Sequence, residues 1–142
     1  MNTLEIAQRC AEVMFARDSA SRALGISIEV SEVGSARARM EITPSMVNGF
    51  GVCHGGYIFT LADSAFAFAC NGYDRVTLAA GATIDFVRSA RLGDRLLAEA
   101  SERYRGRSSG IYDVTVSNQD GRLVAQFRGR SHSTGDPVIT GE

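Results

Sequence analysis

Apolar and polar positions along the chain repeat with two periods, and the changes of period mark the predicted elements. Residues 4–16 place apolar side chains near helical spacing with charged side chains opposite, which predicts an amphipathic N-terminal helix. Residues 26–30 and 36–42 alternate apolar and polar positions around Gly34, which predicts a two-stranded hairpin ended by Pro44. Further strands are predicted at about residues 76–88, 94–105, 109–118 and 122–132.

A long apolar helix is predicted between the hairpin and the last four strands. Residues 57–70 place apolar side chains on every side of a helical wheel, and Asp63 is the only charged residue from position 53 to position 73. A helix that is apolar all round is a buried one, so the strands must wrap around it. The order of elements therefore predicts an α+β hotdog fold, a long antiparallel sheet around a central helix, with an extra N-terminal helix.

Length and composition predict one globular domain and limit its partners. The chain has 142 residues, which suits a single domain over residues 1–132 and a flexible polar tail at residues 133–142. Its 15 basic residues are all Arg and oppose 16 acidic ones, which argues against nucleic acid as the main partner. No apolar run is long enough to span a bilayer, so no membrane partner is expected. Three cysteines, an odd number, and an N-terminus unlike a secretion signal predict a cytoplasmic protein.

Several kinds of catalysis are excluded by residues that the chain lacks. Without lysine there is no Schiff-base lysine, and hence no lysine-anchored pyridoxal phosphate. The two histidines, His54 and His132, are far apart, and no Cys or His pair has the spacing of a structural metal site, so neither metal nor cofactor is expected. No G-x-S-x-G elbow is present to expose a nucleophilic serine. Any chemistry that the chain performs must be simpler than these.

Asp63 is the first candidate for that chemistry. An ionised carboxylate inside an apolar helix costs several kcal/mol to bury unless a partner or a reaction uses it. A satisfied polar group facing water or a second subunit is an equally good interpretation of this residue taken alone.

The start of the same helix is the second candidate. Gly55 and Gly56 follow His54, where the first backbone N–H groups of a helix lack partners and the dipole is positive. Without side chains these N–H groups admit a close carbonyl oxygen, as an oxyanion hole requires, although a bare His-Gly-Gly is more often a plain helix start. Asn48 before Gly49 is first of all a turn residue; its amide gains a role if the loop folds back over the helix start.

The spacing of these candidates predicts a dimer. His54 and Asp63 are nine residues apart. That is about 13 Å along a helix, too far for both to touch one reacting atom. Two such helices set antiparallel about a two-fold axis bring Asp63 of one chain beside Gly55 of the other. The sequence thus predicts a homodimer with two shared sites.

Residues 48–63 resemble the signature of hotdog-fold acyl-CoA thioesterases and read Asn-Gly-Phe-Gly-Val-Cys-His-Gly-Gly-Tyr-Ile-Phe-Thr-Leu-Ala-Asp. Similarity to the branch that acts in phenylacetic acid degradation continues at residues 65–71, 83–88, 106–114 and 127–132. The resemblance implies an enzyme that hydrolyses phenylacetyl- or hydroxyphenylacetyl-type CoA thioesters without a cofactor. It also implies a homotetramer built from two dimers.

The resemblance assigns roles to individual residues. It implies that Gly55 supplies the oxyanion-hole N–H and that His54 shapes the turn. Asn48 would help to hold the carbonyl or the water, and Asp63 from the partner subunit would be either the nucleophile or the general base. Thr83 would assist Asp63 with its hydroxyl, a role that rests on the resemblance alone.

Contacts to the substrate and to coenzyme A are predicted at four positions. Arg107 and Ser108 lie in a glycine-flanked turn and Arg88 follows a strand, so all three are candidates for the phosphates, with Gly56 as a further substrate-binding residue. Ser89 departs from the family, which often has proline there, and we expect this to affect the loop beside the coenzyme A channel rather than the chemistry.

Two other functions fit part of the pattern. A hotdog dehydratase of acyl-CoA or acyl carrier protein substrates would move protons with a histidine and a carboxylate, but His54 directly before Gly55 fits a thioesterase better. A non-catalytic acyl-CoA-binding module would leave the charge of Asp63 without a purpose. Because a thioester is already activated, one carboxylate and an oxyanion hole suffice to hydrolyse it.

Overall fold

The computed structural model describes residues 1–140, which contain three α-helices and six β-strands. The helices are α1 (Thr3–Arg17), α2 (Ser19–Ala23) and α3 (Gly55–Cys70). The strands are β1 (Ser27–Glu29), β2 (Ser35–Glu41), β3 (Thr77–Phe86), β4 (Arg95–Arg105), β5 (Ser109–Ser117) and β6 (Leu123–Ser133). A 3₁₀ turn, Pro44–Met46, follows β2.

All six strands pair antiparallel in one sheet with the order β1-β2-β4-β5-β6-β3. The predicted hairpin forms, with Ser27 opposite Arg39. The observed strand limits differ from the predicted ones by at most two residues. Within the described residues β3 pairs only with β6, so its other side is an open edge of the sheet. The predicted α+β hotdog fold is confirmed.

The central helix α3 packs against β2–β6 on one face of the sheet. Leu61, Ala62 and Ala65 are fully buried there. The approach is close enough that a Cβ on Gly129 of β6 would lie 2.8 Å from the ring of Phe66, a distance at which the ring or the strand would have to move. Glycine at this position therefore sets how deeply α3 sits on the sheet.

The apolar pattern of α3 overstated its burial. Gly56, Thr60, Asp63 and Ala67 recur every three or four residues and form one strip along the helix, which is half-buried or exposed. The sheet covers one side of α3, and α1 and α2 cover another, which leaves this strip open within one chain. The apolar pattern of α3 therefore did not distinguish the side that packs on the sheet from this open strip.

The predicted N-terminal helix is confirmed as α1, but α2 was not predicted. The five residues Ser19–Ala23 are too few to show a helical period; Asp18 begins the helix by accepting the N–H of Ser21 at 2.9 Å. The ring of Phe15 in α1 lies 6.4 Å from that of Phe68, which holds α1 against α3. None of the helices within residues 1–140 combines the length and the hydropathy needed to cross a membrane.

The segment after β6 returns to the body of the protein. The carbonyl of Asp136 accepts the N–H of Val76 at 2.8 Å, and Val138 is buried. These contacts tie residues 134–140 to the start of β3. The flexibility expected for residues 133–142 stays a prediction, and residues 141–142 lie outside the described part of the chain.

Candidate active site

The first turn of α3 presents a backbone donor that has no hydrogen-bond partner in the described part of the chain. His54 caps the helix, and its Nδ1 accepts the N–H of Gly56 at 3.2 Å. The N–H of Gly55 has no acceptor within residues 1–140 and lies at the positive end of the helix dipole. This arrangement favours a bound anion or a developing oxyanion beside Gly55.

The loop that carries Asn48 folds back over this helix start. The N–H of His54 donates to the carbonyl of Met46 at 2.7 Å, so the two ends of the loop meet. The side-chain oxygen of Asn48 accepts the N–H groups of Phe50 at 2.9 Å and Val52 at 3.3 Å, as expected of a turn residue. Its NH₂ group has no acceptor among the described residues, which leaves a second donor near the helix start.

Asp63 lies in the middle of α3, half-buried on the open strip. Its carboxylate has no hydrogen bond or ion pair within residues 1–140. Desolvation by burial raises the pKa of Asp63 above the ordinary value of an aspartate, because the charged form loses water and gains no partner. A carboxylate of raised pKa is a better base, so the environment of Asp63 favours proton abstraction.

Gly55 and Asp63 belong to one continuous helix and do not meet within one chain. Asp63 follows Gly55 by eight positions along α3. The rise is about 12 Å at 1.5 Å per residue, so one thioester carbonyl cannot contact both groups of the same chain. The structure brings together Asn48, His54, Gly55 and Gly56 at one end of α3 and leaves Asp63 apart from them.

Thr83 faces away from α3. It pairs with Arg128 of β6, whereas the neighbouring Ile84 pairs with Phe127, a core residue in contact with α3. Paired residues of adjacent strands share a face, so the side chains of Thr83 and Arg128 lie on the outer face of the sheet. The assistance to Asp63 that the resemblance gives Thr83 stays a prediction, and this placement does not support it.

The predicted coenzyme A contacts lie at opposite ends of the sheet. Arg88 follows the end of β3, whereas Arg107 and Ser108 form the turn between β4 and β5. The nine residues of β5 span the distance between the two ends. At about 3.3 Å per residue they measure about 30 Å, so Arg88 and Arg107 of one chain cannot hold the same phosphate.

The open edge of β3 carries exposed apolar side chains that were not predicted as functional. Leu78, Phe86 and Val87 are 58%, 53% and 57% exposed. A Cβ on Gly55 would lie 3.0 Å from the ring of Phe86, so this ring lies against the unpartnered donor. An apolar edge with free backbone groups is typical of an interface. The strand order is needed to see that β3 is an edge strand. The apolar pattern of the sequence therefore did not indicate that these side chains are exposed.

Comparison with known proteins identifies the family. The family model described as the thioesterase superfamily matches residues 50–125. The acyl-coenzyme A thioesterase PaaI of Escherichia coli K12 is 45% identical over 132 residues, which cover 93% of this chain and 94% of that protein. The chain belongs to the thioesterase superfamily.

Solved structures of similar proteins match the fold of this thioesterase over most of the chain. E. coli PaaI, from the phenylacetic acid degradation operon, matches with a TM-score of 0.93 and 41% identity over 96% of this chain and 99% of that one. A mutant form of the phenylacetic acid degradation protein PaaI from Thermus thermophilus matches with a TM-score of 0.79 and 32% identity, covering 82% and 100%. A Streptococcus mutans UA159 protein solved with acetyl-CoA matches with a TM-score of 0.75 and 29% identity, covering 79% and 90%. The resemblance read from the motifs is confirmed, and a thioesterase is favoured over a dehydratase.

Cys53 is the competing nucleophile of this thioesterase, since it lies next to His54 before the helix start. The structure buries Cys53, and desolvation raises the pKa of its thiol to about 11, so the reactive thiolate is scarce near neutral pH. We therefore expect Cys53→Ser to keep most of the thioesterase activity in a thiol-release assay. Loss of turnover together with an acyl group trapped on Cys53 of the unmodified enzyme would transfer the nucleophilic role to this thiol.

Proposed function

We propose that this thioesterase hydrolyses phenylacetyl- or hydroxyphenylacetyl-type CoA esters to the free acid and coenzyme A in phenylacetate catabolism. The observation that carries the proposal is the helix α3, which presents a backbone N–H at Gly55 and a half-buried carboxylate at Asp63, neither of them hydrogen-bonded within residues 1–140. Similarity to PaaI supports the acyl group, and similarity to the S. mutans protein bound to acetyl-CoA supports the coenzyme.

In the proposed reaction the N–H of Gly55 and the amide of Asn48 bind the thioester oxygen, where negative charge develops. The partner subunit's Asp63 takes a proton from water as the hydroxide attacks the carbonyl carbon, and the tetrahedral intermediate collapses to the acid and the coenzyme A thiolate, which is then protonated. Direct attack by the same carboxylate, through an anhydride that water hydrolyses, fits the same arrangement. Both routes need one carboxylate, as base or as nucleophile, and one oxyanion hole, and neither needs a metal.

The proposed active sites are shared across a homodimer. The ring of Phe86 lies against Gly55, and Asn71 bonds to Thr77 at 2.8 Å, so α3 and β3 run antiparallel side by side. Antiparallel pairing of two β3 edges about a two-fold axis sets the partner's α3 in the reverse direction. The Gly55 end of one helix then faces the strip that carries the partner's Asp63. The apolar, unpaired edge of β3 supports this assembly.

The same pairing offers a place for the coenzyme A phosphates. It brings the Arg88 end of one sheet to the end of the partner's sheet that carries the β4–β5 turn. We propose that Arg88 from one subunit, with Arg107 and Ser108 from the other, contacts the phosphates, and that Gly56 lines the path to the thioester. Arginines that lie too far apart in one chain can serve one ligand in this dimer.

Higher assembly and compartment belong to the same proposal. Two such dimers form a tetramer, an expectation that rests on the family resemblance. Cys10, Cys53 and Cys70 are free thiols, which supports a reducing, cytoplasmic compartment.

A thiol-release assay over a panel of acyl-CoA substrates tests the proposed function. We expect the highest kcat/KM on phenylacetyl-CoA or hydroxyphenylacetyl-CoA, with weaker turnover of straight-chain acyl-CoAs, because the similar E. coli PaaI comes from the phenylacetic acid degradation operon. A clear preference for straight chains would change the proposed substrate class. If none of the substrates is hydrolysed, the proposed function is wrong.

A further inference from the structure

An apolar groove lies beside the last turns of α3, on the far side of Asp63 from the helix start. It runs between α1, the end of α3, the start of β3 and the C-terminal segment, and encloses about 440 Å³. This lies within the ~300–1,000 Å³ of small-molecule sites. Its apolar lining comes from Val13, Met14, Ala67, Val76, Leu78 and Val138.

The groove begins one helical turn from the proposed catalytic carboxylate. Ala67 follows Asp63 by four residues on the same half-exposed strip of α3 and lines the groove. The rise between the two residues is about 6 Å. A thioester carbonyl held beside Asp63 therefore lies within reach of the groove, with the methyl group of Ala67 at its entrance.

Five polar residues also line the groove, Arg17, Asp18, Asn71, Thr77 and Thr140, and the two between α3 and β3 are already hydrogen-bonded. The amide nitrogen of Asn71 donates to the carbonyls of Ala67 and Thr77, both at 2.9 Å, and its oxygen accepts the N–H of Thr77 at 2.8 Å. The hydroxyl of Thr77 donates to the carbonyl of Arg75 at 2.8 Å. Between α3 and β3 a ligand therefore meets apolar side chains, which suits a hydrocarbon or an aromatic ring better than the polar chain of coenzyme A, whereas the charged Arg17 and Asp18 line the groove at the end of α1.

The C-terminal segment forms one wall of the groove, and a carboxylate holds its last turn in place. Oδ1 of Asp74 accepts the N–H groups of Val138 at 3.0 Å and Ile139 at 2.8 Å. Asp74 has a φ of 58°, a left-handed conformation that aspartate tolerates better than most residues. This clamp keeps Val138 buried against the groove.

We propose that this groove binds the acyl group of the substrate, and that Ala67 at its entrance determines how large an acyl group reaches it. The proposal rests on the proposed thioesterase function and adds the location of acyl selectivity. An apolar ring attached through a short linker enters the groove, whereas an acetyl group stays at the carboxylate.

Ala67→Leu tests the proposal by filling the entrance. We expect kcat/KM for phenylacetyl-CoA to fall by about tenfold or more, within the range that a changed apolar pocket contact produces, while that for acetyl-CoA stays within about threefold. Ala16→Leu is the matched control, since Ala16 is exposed on α1 and does not line the groove, and it should change neither value. An equal fall with both substrates, or no fall with either, would overturn the proposal.

A binding measurement separates this inference from the proposed catalysis. In Asp63→Asn protein, whose turnover is removed, calorimetry compares the Kd of phenylacetyl-CoA with that of free coenzyme A. We expect tighter binding of the acylated ligand, and loss of that advantage on adding Ala67→Leu with the Kd of coenzyme A unchanged. An acyl advantage that survives Ala67→Leu in correctly assembled protein would place the acyl group elsewhere, whereas absence of turnover in the unmodified enzyme would contradict only the proposed function.

Discussion

Replacing Asp63 by alanine should lower kcat by roughly 10²- to 10⁴-fold, the range for losing a positioned acid–base group, while the protein still folds and assembles. Asp63 is the only charged residue of α3 and has no hydrogen bond or ion pair within residues 1–140, so its removal breaks no bond of the described fold. Thiol release measures the loss, and size-exclusion chromatography with circular dichroism reports the fold. Turnover near that of the unmodified enzyme would make Asp63 a polar surface group.

Asp63→Asn is the sharper variant because it keeps the shape and removes the charge. It should be nearly as inactive, yet as stable as the unmodified protein or more so at neutral pH. Burial raises the pKa of Asp63 in the folded state above its unfolded value, so the contribution of this group to stability is full below the unfolded pKa and is lost as pH rises through the folded pKa. Thermal unfolding at neutral pH measures this, and a large drop in Tm for Asp63→Asn would indicate a structural role.

The fall of kcat/KM at acidic pH reports the ionisation of the Asp63 carboxylate. Because Asp63 acts as a base only when ionised, kcat/KM should fall as pH falls through its raised pKa, at a higher pH than for an ordinary aspartate. An acidic limb at the position of an ordinary, solvated aspartate would show that burial does not tune this group in the assembled enzyme.

Mixing two inactive variants should restore activity, because each proposed site takes its two halves from different subunits. Asp63→Ala removes the base. Asn48→Asp keeps the oxygen that accepts the N–H groups of Phe50 and Val52, but replaces the free amide donor by a negative charge beside the oxyanion. A mixed dimer then holds one intact site and one doubly damaged site.

The expected recovery follows from random pairing. After the two chains are unfolded together at equal concentration and refolded, about half of the dimers are mixed and each has one working site of two, so near a quarter of the unmodified activity should return. Native mass spectrometry confirms the mixed dimers, and each variant refolded alone is the control. Mixed dimers that stay inactive would mean that one chain contains the whole site, against the roughly 12 Å that separates Gly55 from Asp63 along α3.

Local pattern predicted most of the secondary structure and the chemical character of α3. Strand alternation and helical spacing are properties of neighbouring residues, so the strands and α1 were located to within two residues, whereas the short α2 escaped because five residues show no period. Among the described residues the N–H of Gly55 and the carboxylate of Asp63 have no partner, and this also follows from local sequence. A helix start leaves its first donors open, and a lone charge in an apolar run lacks neighbours to pair with.

Tertiary structure alone decided where Thr83, Arg88 and Arg107 lie in the fold. A register shift in β3 between Ala79 and Gly81 interrupts the strand alternation, and pairing with β6 then turns Thr83 to the outer face. The order of the strands made β3 an open edge and set Arg88 and Arg107 at opposite ends of the sheet. Pairings of this kind join residues far apart in the chain, so the sequence by itself determined which chemistry is available, namely the donors at the start of α3 and the carboxylate of Asp63. The packing of the sheet on α3 determined which face of the helix and which edge of the sheet stay open within residues 1–140.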